Sequence, residues 1–291
     1  MALSRSNRSS VTPAHGVCAA AAYASAAVTL LIFGFMAALG LPLLRDGRFF
    51  QTLLGAWSPV HHRYGIYPMI WGTLSITGLG FSLALPMSLG CAAFIQVTAP
   101  KGVARIFHHL VRLMTGIPTV IYGFVGIFLL VPLVREGFGR GSGLCILSAG
   151  LMLAVLVAPT MILFFSDGLA GVALKHRLAA SALGATRVQR LLYILLPQAW
   201  RSIVAGMVLG LGRALGDTMI ALMLSGNAVA LPSSVLDAAR TLTAHIALVI
   251  AADFDSPEFG SLFICGLVLY LATTIAVIAM RAIVAKRLER A

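Results

Sequence analysis

Six stretches of this chain, at about 19–44, 69–97, 113–134, 144–165, 202–224 and 259–281, are apolar nearly without interruption. A bilayer hydrocarbon core of about 30 Å takes roughly 20 residues of helix, so each stretch is long enough to cross. The expected fold class is therefore all-α integral membrane, with six transmembrane helices. Decads of alternating polar and apolar residues, the mark of a membrane barrel, are missing. Composition agrees: of 291 residues, 59% are hydrophobic and 10% charged, whereas soluble domains carry about a quarter charged. Prolines within the runs, such as Pro86, Pro118 and Pro159, are tolerable where neighbouring helices satisfy the freed backbone groups.

The formal charge is +12, from 21 Lys plus Arg against 9 Asp plus Glu. Its distribution decides what it means, because cytoplasmic loops of membrane proteins are enriched in Lys and Arg. One set of connections carries Arg5, Arg8, Lys101, Arg105, Arg112, Lys175, Arg177, Arg187, Arg190, Arg201, Arg281, Lys286, Arg287 and Arg290. The other carries Arg45, Arg48, Arg63, Arg135, Arg140 and Arg240, together with Asp237, Asp253, Asp255 and Glu258. The imbalance predicts that both termini are cytoplasmic, in a multi-pass protein of a bacterial cytoplasmic membrane. It also accounts for the basic balance without nucleic acid. The first apolar run is too long for a typical signal-peptide core and reads as a retained helix.

Catalytic chemistry is thinly represented. His61 with His62 and His108 with His109 are adjacent pairs without a carboxylate partner or metal-ligand spacing, and read as histidines at the membrane interface. Ser142 lacks a nucleophile-elbow context, and no phosphate-cradling glycine loop occurs. Cys18, Cys91, Cys145 and Cys265 are isolated and read as packing residues. The expectation is no catalytic residue, no metal and no cofactor.

Two segments stand out. The first is the basic connection from about 166 to 201, with HRLAASALGATRVQRLLYILLPQAW beginning at His176. Leu178, Ala182 and Ala185 recur at helical spacing, Gly184 offers a turn, and Pro197 predicts a second break before the fifth span. A short helix, a turn and a second short helix reads equally as a docking device or as a helix lying in the headgroups.

The second is GMVLGLGRALGDTMIALMLSGNA from Gly206. Arg213 falls about eleven residues into a span starting near 202, roughly 17 Å deep at 1.5 Å per residue. A cation there costs about 2.5–3.5 kcal/mol on insertion scales, so it faces the bundle interior or a wet path. Asp217, at i+4, is expected on the same helix face, either as a self-neutralising ion pair or as the orienter of a fork of N–H donors suited to phosphate oxygens. An acid there would also accept a proton-bearing oxyanion such as hydrogen phosphate and not sulfate. Gly206, Gly210, Gly212 and Gly216 predict close helix approach.

Gly184, nine residues, Ile194, one residue, Leu196 and Pro197 resemble the EAA loop of bacterial ABC importer permeases. GRALGDT at 212–218 is similar to the GRALGET of PstC-type permeases of phosphate importers, GIPTVIYGF from Gly116 to Phe124 resembles their GIPSVVYGF, and Gly72, Thr73 and Leu74 match at the start of the second span. The resemblance implies a type I ABC importer permease (MetI-like) fold, with a permease domain over 67–284. Residues 1–66 would form a cytoplasmic tail, first helix and periplasmic loop, and residues 285–291 a second tail. It further implies that Arg213 and Asp217 line the substrate path and that Leu178, Ala179, Ala180, Gly184, Ala185, Thr186 and Pro197 contact the ATPase. The implied partners are two copies of an ABC ATPase subunit, a PstA-type second permease and a periplasmic phosphate-binding protein, with ATP hydrolysis in the separate ATPase. Three departures from the family are Leu178 in place of Glu, Asp217 in place of Glu and Arg112 in place of Glu. The expected function is the channel-forming subunit of an ATP-driven phosphate importer; the alternatives are another oxyanion (sulfate, molybdate, tungstate or phosphonate) or a non-transporting sensor subunit.

Overall fold

A computed structural model describes residues 11–45, 49–251 and 256–288. Arg5, Arg8, Arg48, Asp253, Asp255, Glu289 and Arg290 lie outside the described residues. The described residues are mostly helical, with a two-stranded hairpin pairing Trp57–Ser58 with Arg63–Tyr64 and an irregular connection over 225–241. In order, the helices are α1 (Val11–Arg45), α2 (Phe49–Leu54), α3 (Tyr67–Ala93), α4 (Lys101–Thr115), α5 (Thr119–Val125), α6 (Val131–Phe138) and α7 (Ile146–Ala170). There follow α8 (Leu174–Ala182), α9 (Arg187–Arg190), α10 (Leu196–Gly216), α11 (Met219–Leu224), α12 (Leu242–Val249) and α13 (Pro257–Leu288).

Among the described residues, six segments are long and apolar enough to cross a membrane: Gly16–Gly40, Tyr67–Thr98, Thr119–Phe138, Ile146–Ala170, Arg187–Gly216 and Glu258–Ala282. Two boundaries correct the sequence expectation. The third span starts at Thr119 rather than near 113, because Gly116 ends α4 and Pro118 opens α5, separating a surface helix from the span. The fifth starts at Arg187 rather than near 202, and ends at Gly216.

Pro197 does not break that span. A π turn over Leu191–Leu195 precedes it, and Pro197 sits in the first turn of α10, where its missing N–H costs nothing. The same arrangement recurs where a π turn over Gly126–Leu130 leads into α6 with Pro132 in its first turn.

The core is built on α7, packed between α3 and α10, with Leu153, Leu156, Val157, Met161, Phe165 and Leu169 almost wholly buried. Small residues set the approach. Gly150 of α7 lies under Leu79 of α3, while Gly206 and Gly210 of α10 lie under Phe164, Phe165 and Met161 of α7. Gly212 and Gly216, expected to serve the same end, meet no neighbouring atom within 4 Å. A second cluster, of Trp57, Ile66, Met69, Leu242, Ile264 and Cys265, closes the end of the bundle near the hairpin. The four cysteines are free thiols, Cys145 and Cys265 buried and Cys18 exposed.

Candidate functional site

The fifth span does not run through Asp217. Helix α10 ends at Gly216, Asp217 is extended (φ −74°, ψ 125°), and α11 begins two residues later. The Asp217 carboxylate accepts a hydrogen bond from the Ile220 backbone N–H at 2.8 Å, the reach of a helix N-cap. Its carbonyl accepts from Thr243 Oγ1 at 3.0 Å. The break is thus held from within by a capping carboxylate and from outside by Thr243 in the first turn of α12. Gly followed by Asp is end-then-start chemistry for a helix, so the signal was present in the sequence; the apolar run on either side concealed it.

This corrects the expected Arg213–Asp217 pair. The two side chains do not share a continuous helix, and the one ion pair among the described residues is Arg135–Glu136. The Arg213 guanidinium instead donates through Nη1 to Thr160 Oγ1 at 3.0 Å. Thr160 follows Pro159 near the middle of α7 and is the only polar side chain between Ser148 and Ser166. Mid-span depth for Arg213 therefore follows from its partner on α7, not from a count along its own helix. Sequence reasoning passed over Thr160; a lone hydroxyl in an apolar helix was the available signal.

Arg213, Gly216, Asp217, Thr218, Met219 and Thr119 line an open cleft of about 420 Å³. Gly216 opens onto it without a side chain, and Thr119 contributes the first residue of α5. The hydroxyls on either side of Thr119 bond locally: Thr115, at the end of α4, donates to Arg112 O (2.7 Å), and buried Tyr122 of α5 donates to Met114 O (2.9 Å). Asp217 also borders a small enclosed pocket, about 10 Å³, with Thr73, Thr77, Thr241 and Thr243. Such a pocket has room for about one water. Thr73 is part of the Gly72-Thr73-Leu74 run. Its hydroxyl donates to Met69 O and accepts from Leu242 N at 2.9 Å, and Gly72 leaves space for the Arg240 carbonyl. That run is the seat on which the connection before α12 rests.

At the other end, the loop after α7 is shorter than expected. Leu183 ends α8, and Gly184 takes the left-handed region (φ 76°) with open space around its α-carbon. Glycine is needed there for its backbone conformation, not for room. Gly184 N–H and Ala185 N–H close the turn on Ser181 O (3.1 Å) and Ala180 O (3.0 Å). Thr186 then opens α9 with a capping box. Its hydroxyl accepts from Gln189 N–H, and Gln189 Oε1 accepts from Thr186 N–H at 2.8 Å. Arg190 donates to Ser181 Oγ (2.8 Å), and Arg187 donates to Thr98 O (3.4 Å) at the end of the second span. Of the expected contact residues, Ala180 is buried, while Leu178 is 60% exposed and continues a stripe with exposed Leu174 and Ala182. Ala179, Gly184, Thr186 and Pro197 are also exposed, and Ala185 half-buried.

A six-span helical bundle with a cation facing an open mid-span cleft, and an exposed helix and turn where two spans meet, is a membrane permease component. Comparison with known proteins makes this specific. The chain belongs to the family described as binding-protein-dependent transport system inner membrane component, whose pattern matches residues 84–290. It is 32% identical to a protein of Bacillus subtilis (strain 168) named probable ABC transporter permease protein YqgH, over 79% of this chain and 76% of that one. It is likewise 32% identical to the phosphate transport system permease protein PstC of Xylella fastidiosa (strain 9a5c), over 91% and 89% respectively. Among solved structures, the MetNI methionine ABC transporter in an inward facing conformation shares the fold. The TM-score is 0.59 at 18% identity, covering 75% of this chain and 94% of that one. The fold is that of the type I ABC importer permeases.

Proposed function

We infer that this chain is the membrane permease subunit of an ATP-driven importer of inorganic phosphate. The observation that carries the reading is a cation at the cleft that forms no ion pair among the described residues. Arg213 is held by a neutral hydroxyl, and the nearest acid, Asp217, spends its carboxylate on the amide of Ile220. A guanidinium so placed presents its remaining N–H donors to an anion, and its planar fork fits phosphate oxygens. The relatives named for phosphate transport support the choice of substrate.

In this reading, Arg213 is the anion guide and Asp217 holds the helix break that shapes the cleft. The permease domain spans 67–284, and Leu178, Ala179, Ala180, Gly184, Ala185 and Thr186 form the seat for an ATPase subunit, of which the assembly of two permeases holds two copies. Pro197 belongs to the rigid helix behind that seat. A PstA-type permease pairs with this chain, and a periplasmic phosphate-binding protein delivers the substrate. ATP hydrolysis belongs to the separate ATPase. The excess of Lys and Arg at the α8 end supports a multi-pass topology in a bacterial inner membrane with that end, and both termini, on the cytoplasmic side.

The test is radiolabelled uptake in cells lacking their own importer and supplied with this chain and its partners, with competition by phosphate, sulfate and molybdate. Arg213→Ala is expected to lower phosphate uptake about tenfold to a hundredfold, the range of a charged hydrogen bond. Unchanged phosphate uptake in that variant, or competition by sulfate as strong as by phosphate, refutes the reading.

A further inference from the structure

Helix α4 lies between the second and third spans, opened by Pro100 and followed at once by the Gly116–Pro118 link into α5. Its sequence, KGVARIFHHLVRLMT, divides sharply by side. At about 100° per residue, Lys101, Arg105, His108, His109 and Arg112 fall within roughly a quarter to a third of the circumference. Val103, Ile106, Leu110 and Leu113 fall opposite. A narrow third strip, with Val111 at 5% exposure and half-buried Ala104, packs on the core.

The apolar strip is left uncovered by the described residues: Ile106 is 61% exposed, Leu110 51% and Leu113 69%. The cationic strip is unbalanced too. The helix contains no Asp or Glu, and among the described residues none of its cations forms an ion pair. Both ends are tethered. Tyr122 of α5 bonds Met114 O, and Arg187, just beyond the Gly184 turn, bonds Thr98 O beside the start of α4.

We propose that α4 is an interfacial helix that binds anionic phospholipid, its apolar strip among the acyl chains and its cations on the headgroups. The tethering to two membrane spans fixes it at the depth where headgroup and hydrocarbon meet. A continuous apolar strip bordered along its length by charge of one sign matches that boundary. Through Arg187 and Thr98, the lipid-bound helix is joined to the turn that follows α8. The proposal does not depend on which anion is carried.

The full-length chain, purified in mixed micelles of phosphatidylcholine and phosphatidylglycerol, is analysed for retained lipid by native mass spectrometry. Phosphatidylglycerol is expected to be retained in preference. The combined variant Lys101→Gln, Arg105→Gln, Arg112→Gln should lower that preference, by up to about fivefold for each cation removed. Removing Arg281, Lys286 and Arg287 in the same way should lower it far less. A preference that survives in the α4 variant, or falls equally in both variants, overturns the proposal.

Hydrogen exchange on the unaltered protein keeps the test independent of how the variants fold. Amides 101–115 should exchange more slowly in nanodiscs containing phosphatidylglycerol than in phosphatidylcholine alone. Protection that is blind to headgroup, and arises only when the ATPase or second permease is added, makes the occupant a protein and defeats the proposal.

Discussion

The Gly184 turn and the Arg213 cleft are both helix interruptions, and they are held in opposite ways. At the turn, every stabilising bond but one is local: Gly184 to Ser181, Ala185 to Ala180, Thr186 with Gln189, and Arg190 to Ser181. At the cleft, the decisive bonds reach far along the chain, from Arg213 to Thr160 and from Thr243 to Asp217. The turn can therefore keep its shape while the helices behind it move. The cleft exists only when α7, α10 and the start of α12 are assembled. The turn is coded locally, and the cleft is assembled from distant pieces.

The sharpest way to break this contrast is Gly184→Val. Nothing lies near the α-carbon, so the effect is conformational: a β-branched residue resists the left-handed region by about 1–2 kcal/mol. Uptake should fall close to background with ATP hydrolysis no longer coupled to it, while Gly184→Asn, which tolerates that region, restores most of it. Comparable uptake in the Val and Asn variants would remove the backbone argument.

Next in size is Thr160→Val, which preserves shape and removes the acceptor that holds Arg213. The half-saturation concentration for phosphate should rise about tenfold, in line with a hydrogen bond to a charged group, with a smaller change in maximal rate. Thr160→Ser should return it toward the original. An equal effect of Ser and Val would make Thr160 a packing residue. Thr186→Ala, which removes one arm of the capping box, costs about 1 kcal/mol locally. Faster hydrogen exchange over residues 187–190, with exchange near Arg213 unaltered, is the expected signature.

The smallest effect comes from the far end of the bundle. His245 is fully buried against Trp57, with ring centroids 4.4 Å apart, and its Nε2 lies 3.3 Å from Ser261 Oγ. Ser261 already donates to Glu258 O, so it accepts from Nε2–H and leaves Nδ1 without a partner. Burial, with the Arg240 charge adding to it, lowers the pKa to about 4. The unfolded chain then takes up a proton near pH 6.5 that the folded one refuses, so stability is full above that pH and declines as pH falls toward 4. Between pH 7.5 and 6 the loss is just under about 1 kcal/mol, read as a lower melting temperature and absent in His245→Gln.

Much of the segment around Gly184 was legible because its information is short range. Gly184, Thr186 and Gln189 carry turn and capping chemistry within six residues, and the Gly184-to-Pro197 spacing marks the family. What went astray there was Pro197, because a π turn depends on how the helix is packed and leaves no simple residue pattern. At the cleft, Arg213 stood out as a buried cation, but its partner did not. Spacing of i, i+4 on an assumed helix pointed to Asp217, when the helix had already ended. The two-sided pattern of α4 was readable and was overlooked beside the longer apolar runs that flank it.

Hydrophobicity over lengths of about 20 residues is enough to require a helical membrane protein, since no other open structure satisfies its backbone in hydrocarbon. That much, with the number of spans and the side on which basic residues gather, needs no coordinates. Which hydroxyl holds Arg213, where the fifth span stops and why Asp217 is not its counter-ion are settled only by packing. These depend on close approach of α3, α7 and α10 across Gly150, Gly206 and Gly210, and a distance between segments far apart in the chain is not written in either segment alone.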